Sequence, residues 1–222
     1  MKNFAITLLA GLGLLAAGCA KDNITPPTSQ LTGRITYQNQ PLNVRGSGNV
    51  QLELWQRGEY FRNKIQVFVA QDGTYSADLF DGDYKLTRLR DNGPWANNTD
   101  SISVTVKGNT VVDVPVTPYF TIGTATIAKS GSNVTASFPV TKVGTRDIEA
   151  ATLFVSYRQF VDVSNQFATA SKYTADLTNL SQPVSLSVAI PSTAKGTIYA
   201  RVGVKTQGVN ELIYSPVQTI AL

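Results

Sequence analysis

The sequence predicts an all-β protein built as two consecutive β-sandwich domains, and three observations carry that expectation. From Leu31 onward apolar and polar residues alternate with period two, and turn residues interrupt the alternation every eight to twelve positions. Valine, threonine, isoleucine and tyrosine are frequent while Met1 is the only methionine, which is a β composition. Pro115 and the Thr117-Pro118 pair break the pattern near mid-chain, where proline cannot donate to a central ladder. The 222 residues then divide into two lengths, each able to bury its own core.

The chain opens on Met1-Lys2-Asn3, a short positive start, followed by an uncharged run from Phe4 to Leu15 and the small residues Ala16-Ala17-Gly18 before Cys19. This is the three-part pattern of a signal peptide over 1–18, and the run falls short of the ~20 apolar residues that cross a bilayer as a helix. Ala16-Ala17-Gly18-Cys19 resembles the bacterial lipobox, with Ala16 where leucine is commonest. The resemblance implies cleavage before Cys19 and lipidation of that cysteine, the only one in the chain. Two or three acyl chains, at ~0.8 kcal/mol per buried methylene, anchor a soluble domain stably. Residues 19–30 then form the lipidated cysteine and a polar, proline-containing tether, whose stretch from Ala20 to Gln30 spans at most ~35–40 Å. Lys21-Asp22 resembles the charged export signals of Bacteroidetes surface lipoproteins.

The first domain is expected over 31–118. Val50, Leu52 and Leu54 share one face, as do Ile65, Val67 and Val69. Asp72-Gly73 predicts a hairpin turn between Ile65–Ala70 and Thr74–Phe80, and Phe80-Asp81-Gly82-Asp83-Tyr84 a second turn. Ile102, Val104 and Val106, then Val112, Val114 and Val116 around Lys107-Gly108-Asn109, read as a closing hairpin. The second domain, 119–222, carries one-face stripes at Val134–Val140, Leu153–Tyr157, Val184–Ile190 and Ile198–Val204, with a short helical turn conceivable within Val161 to Ala170.

Leu31-Thr32-Gly33-Arg34-Ile35, Asp72-Gly73-Thr74-Tyr75 and Gly82-Asp83-Tyr84-Lys85-Leu86 together resemble the carboxypeptidase regulatory-like, transthyretin-type sandwich. Thr197 to Val204 followed by Tyr214-Ser215-Pro216-Val217 is similar to the last two strands of a fibronectin type III (Ig-like) domain. With the lipobox and Val116-Thr117-Pro118-Tyr119, the whole resembles a two-domain Bacteroidetes lipoprotein family of unknown function, associated with starch-utilisation-type glycan uptake loci. That resemblance implies outer-membrane, cell-surface placement, a role in glycan capture, and as partners an outer-membrane transporter and surface lipoproteins.

Composition narrows the chemistry. The chain has no histidine, which removes Ser/His/Asp and Cys/His machinery and imidazole metal sites, so no enzyme activity and no cofactor are expected. With 19 basic against 15 acidic residues and no basic run interleaved with aromatics, nucleic acid is not an expected partner.

Four residues stand out as ligand candidates. Trp95 and Asn97 lie in the polar loop Asp91–Asn98, where tryptophan suits the apolar face of a sugar and asparagine its hydroxyls; the same tryptophan equally suits a plug for the end of the sandwich. Trp55 falls on the face opposite Leu52 and Leu54, with Tyr60 just beyond, and serves either as a binding platform or as packing under the following loop or against the second domain. Asp81 and Asp83 lie in the densest carboxylate set and are weak calcium candidates, although turn chemistry accounts for aspartate before glycine. The functional expectation is a non-catalytic surface lipoprotein, the accessory glycan-binding component of an outer-membrane polysaccharide uptake system. The alternative is a structural module that docks on a transporter or partner lipoprotein without binding glycan.

Overall fold

The structure is a computed structural model that describes residues 25–46, 48–56 and 63–222. The signal segment, Cys19 and Tyr60 lie outside the described residues. The protein is all-β, as the alternation predicts, and no described helix is long and apolar enough to cross a membrane.

The strands of the first domain are β1 (Ser29–Tyr37), β2 (Gln40–Pro41), β3 (Gln51–Gln56), β4 (Lys64–Phe68), β5 (Thr74–Leu79), β6 (Gly82–Arg88), β7 (Ile102–Val106), β8 (Asn109–Val111) and β9 (Val114–Pro115). One sheet has the order β4-β3-β6-β7 and is antiparallel throughout. The other is centred on β1, which pairs antiparallel with β2 and β5 and parallel with β8 and β9. Leu52, Leu54, Val67, Leu86 and Val104 face Leu31, Ile35, Tyr75, Leu79 and Val114 in a buried core, the arrangement period-two patterning produces when two sheets share their apolar faces.

Three expectations change. The Ile102–Val116 segment is not a hairpin: β7 pairs with β6, whereas β8 and β9 run parallel to β1 in the other sheet. Gly108, at φ 60°, passes the chain from one sheet to the other, so the valine stripe reports a shared core and not a shared ladder. The turn at Asp72-Gly73 is tight, with Gly73 N–H donating to Ala70 O at 2.9 Å and Ala70 N–H to Thr74 O at 2.8 Å. Gly73 sits at φ 81°, and a Cβ there would meet Leu42 O at 2.1 Å, so glycine is required. Beyond the Val69–Tyr75 bridge the strands it joins diverge into different sheets, making it a corner. Finally, the tether ends earlier than expected: Ser29 and Gln30 belong to β1, and Ser29 is buried with its hydroxyl donating to Asp81.

The second domain contains β10 (Phe120–Ile122), β11 (Thr126–Ser130), β12 (Asn133–Phe138), β13 (Val140–Lys142), β14 (Ile148–Ser156), β15 (Ala168–Tyr173), β16 (Val184–Ala189), β17 (Thr197–Thr206), β18 (Ile213–Tyr214) and β19 (Gln218–Ala221). β11-β12-β16 form one sheet and β10-β13 a small ribbon. A larger sheet has the order β15-β14-β17-β18, with β19 also on β17. β14 is buried continuously from Ala151 to Ser156 and β17 from Ala200 to Val204, the mark of a sheet covered on both faces. The stretch Val161 to Ala170 holds no helix; Asp162 accepts hydrogen bonds from Ser164 N–H and Asn165 N–H, an aspartate turn, and β15 begins at Ala168. A 3-10 turn, Thr174–Asp176, follows β15.

Candidate functional site

The outer face of the β4-β3-β6-β7 sheet is where the first domain presents chemistry. Leu52 and Leu54 point to the core, so Gln51, Glu53 and Trp55 point outward by the pleat. Trp55 is 39% exposed, and its indole Nε1–H donates to Thr87 Oγ1 at 3.2 Å, which holds the ring over β6. It is paired across β3 with Lys64 and Lys85. Beside it lies a shallow hollow of about 580 Å³ whose polar lining includes Gln56, Asp83, Lys85, Ser103 and Thr105. An apolar ring set among an amide, a carboxylate, an ammonium and two hydroxyls can stack on a C–H-bearing face while donating and accepting hydrogen bonds at its rim.

Trp95 has the opposite setting. It is 5% exposed and bridges to Pro118, within the connection between domains. A Cβ at Gly93 would lie 2.2 Å from the Trp95 ring, so the loop closes over the indole only because Gly93 has no side chain. Ala96 N–H donates to Thr117 O at 2.9 Å and Tyr119 N–H to Pro94 O at 3.2 Å, pinning the connection to the loop. Trp95 is therefore the plug of the two alternatives, and a sugar platform there is ruled out by burial. Asn97 is engaged locally: its Nδ2–H donates to Asp91 Oδ1 at 2.6 Å and its Oδ1 accepts from Asp91 N–H at 2.9 Å.

The joint is completed by Arg201, an inward cation that sequence patterning did not single out. It is 1% exposed on β17, with Nη1 donating to Val44 O of the first domain at 3.1 Å and Nε to Val161 O. Its guanidinium lies 3.7 Å from the Tyr214 ring centroid, and burial pulls its pKa down to about 10, against the favourable pull of Tyr214 and Asp162. Arg45 of the first domain reaches Asp162 at 3.7 Å and Glu211 at 3.8 Å, and donates to Ser164 Oγ at 2.7 Å. Tyr214 N–H also donates to Asn43 O at 3.0 Å. These contacts tie Asn43–Arg45 to the second domain.

Both carboxylates are engaged within the fold. Asp81 accepts from the Ser29 hydroxyl and from Gly108 N–H, which hold its carboxyl below the usual range, and Asp83 accepts from Thr105 Oγ1 at 2.7 Å. Among the described residues no group of three or more acidic, cysteine or histidine side chains is placed to hold a metal ion.

Sequence reading also missed several exposed aromatics: Phe68 on β4, and Tyr157, Phe160 and Tyr173 in the second domain. Phe68 carried a legible signal, since it alternates with the buried Val67 and Val69.

Family models match both halves of the chain: the N-terminal domain of DUF3823, a protein family of unknown function, over residues 29–117, and the DUF3823 C-terminal domain over 120–219. The chain belongs to the two-domain DUF3823 family. It is 42% identical to a DUF3823 family protein from Parabacteroides merdae, over 88% of this chain and 100% of that one, with a TM-score of 0.81. A Bacteroides ovatus DUF3823 family protein is 37% identical over 87% of this chain and 99% of that one, also with a TM-score of 0.81. A Bacteroides uniformis protein described as a "putative carbohydrate binding protein" shares the fold, with a TM-score of 0.70 at 19% identity over 88% of this chain and 100% of that one. No curated protein matches.

Proposed function

We propose that this DUF3823 protein is a non-catalytic, lipid-anchored surface protein that binds glycan through the outer face of its first domain, as an accessory to an outer-membrane polysaccharide uptake system. The observation that carries the reading is Trp55, an exposed indole fixed by Thr87 and bordered by Gln56, Asp83, Lys85, Ser103 and Thr105. Ring stacking with peripheral hydrogen bonds is how a protein grips a sugar, apolar on one face and hydroxylated at its edge. The description of the Bacteroides uniformis fold relative points the same way. The first domain is read as carboxypeptidase regulatory-like and the second as fibronectin III-like, on the strand motifs that resemble those folds. Cys19 is the proposed lipidation site, followed by a tether through Thr28, and transporter and surface-lipoprotein partners complete the system.

Affinity electrophoresis of the mature protein in gels containing starch, β-glucan, xylan, mannan or pectin tests the binding. Retardation by at least one polysaccharide, removed by Trp55→Ala, is the expected result; free migration in every gel overturns it. For the anchor, Cys19→Ala is expected to abolish labelling by a palmitate analogue and to release the protein from membranes.

The alternative, docking on a transporter or partner lipoprotein without glycan, is favoured by a different observation: Tyr157, Phe160, Val163 and Tyr173 are exposed on the second domain. Recovery of the same partner by Trp55→Ala protein and wild type, with no glycan in either, would favour it.

A further inference from the structure

We infer that the ligand is an extended glycan chain of several sugars lying along β3 and β4 from Trp55 to Phe68, and not a terminal sugar held at Trp55 alone; this rests on the reading of Trp55 as a sugar platform. The register supplies the geometry. Gln51 pairs with Phe68, Glu53 with Gln66 and Trp55 with Lys64, so these six residues share the outer face while Leu52, Leu54 and Val67 fill the core behind them. Phe68 is 53% exposed, more than Trp55. Four residues along a strand and one strand across separate the Cα atoms of Trp55 and Phe68 by about 14 Å, from a rise of about 3.3 Å per residue and a strand spacing of about 4.8 Å. That is longer than one sugar, so a single ring touches one aromatic only.

The chemistry between the two rings selects the ligand class. Gln66 is exposed, Glu53 is half-buried with its carboxylate paired to the Lys64 ammonium, and Thr87 stands opposite Glu53 on β6. Amide, carboxylate, ammonium and hydroxyl groups suit a polymer with a hydroxyl at every step. They do not suit an apolar protein surface, because charged residues are depleted from the cores of protein interfaces. Glu53 and Asp83 offset Lys64 and Lys85 on the same face, which leaves no surplus of positive charge for a polyanion such as nucleic acid. Among the described residues a hollow adjoins the track at each end. Past Trp55 lies the hollow bordered by Asp83, Ser103 and Thr105, and Phe68 overhangs a second hollow, of about 690 Å³, with Thr32, Arg34, Ser76 and Asp113. A chain longer than the track continues in either direction, the requirement for binding the interior of a polysaccharide.

The test uses whichever of the five polysaccharides retards the mature protein, partially hydrolysed and fractionated into oligosaccharides of one to eight sugars, in calorimetric titrations of wild type, Trp55→Ala, Phe68→Ala and Tyr173→Ala. Affinity is expected to climb with length and to level off once the chain spans both rings. Trp55→Ala is expected to weaken every length by about tenfold or more, and Phe68→Ala the long chains by about tenfold while leaving the disaccharide unchanged. Tyr173→Ala, on the second domain, is expected to match wild type. If monosaccharide or disaccharide binds as tightly as the octasaccharide, or Phe68→Ala matches wild type at every length, the extended track is overturned while the Trp55 platform stands. If no polysaccharide retards the protein, both fall together. Circular dichroism of Phe68→Ala separates lost binding from lost fold, and Phe68→Tyr, which keeps the ring, is expected to restore long-chain affinity.

Discussion

Two regions hold the two tryptophans, and the physics around them is opposite. On the outer sheet face Trp55 is more than a third exposed, anchored by one hydrogen bond, and borders an open hollow lined by polar side chains. At the domain joint Trp95 is almost fully enclosed, the backbone beside it is paired with the interdomain connection, and the polar groups nearby bond one another. One region leaves its ring open to a partner; the other encloses it within the fold. The lesson is that a large aromatic in a polar segment becomes a binding group only where the fold leaves its ring uncovered.

The joint should answer to stability measurements and the face to binding measurements. The largest effect is expected from Trp95→Ala, which removes a buried ring under Gly93 and costs about 3–5 kcal/mol in urea unfolding. A loss below about 1 kcal/mol would mean that the joint is not enclosed. Arg201→Met follows: it keeps an apolar stem but strips the partners from Val44 O and Val161 O and the cation from the face of Tyr214, at a cost of about 2–4 kcal/mol. Calorimetry reads a second consequence. Wild type is expected to unfold in one transition, and Arg201→Met in two as the domains uncouple.

Strands were largely legible in the sequence because period-two alternation is a direct record of which face meets the core. Val50–Leu54 and Val134–Val140 show it plainly. Pairing was not legible, because a stripe such as Val112, Val114 and Val116 carries no mark of its neighbour; β9 found β1, in parallel, where a hairpin with β7 was expected. The outward placement of Trp55 followed from the same parity. The burial of Trp95 did not, since it depends on Pro118, distant in sequence and brought near by the fold. Arg201 was hidden for a related reason: as an outward position on a strand it reads as solvated, and it is buried by Val161, Tyr214 and, from the other domain, Val44, all distant from it in sequence.

Trp55→Ala sharpens the comparison from the other side. With the ring partly exposed and one hydrogen bond to Thr87, its removal should change stability by at most about 1 kcal/mol, several-fold less than Trp95→Ala, while abolishing retardation in a polysaccharide gel. A variant that keeps full retardation, or that loses stability to the same degree as Trp95→Ala, would place Trp55 in the structural class.

The smallest effect concerns Asp81, an exposed carboxylate whose bonds hold the first strand and the β7–β8 corner together. The Ser29 hydroxyl and Gly108 N–H lower its pKa in the folded chain below the ordinary value of 3.8. A carboxyl with a depressed folded pKa contributes stability that is present above its unfolded pKa and is lost as pH falls through the folded value. Wild type is therefore expected to be slightly more stable than Asp81→Asn at pH 7, and the difference should fade as the solution is acidified below about 4. Ser29→Ala should bring the Asp81 titration back toward its ordinary pKa, which carbon-13 NMR of the carboxyl reads directly. An unmoved titration would mean that Ser29 leaves Asp81 alone and that β1 is held at its start by the Gln30 N–H bond to Gly108 O instead.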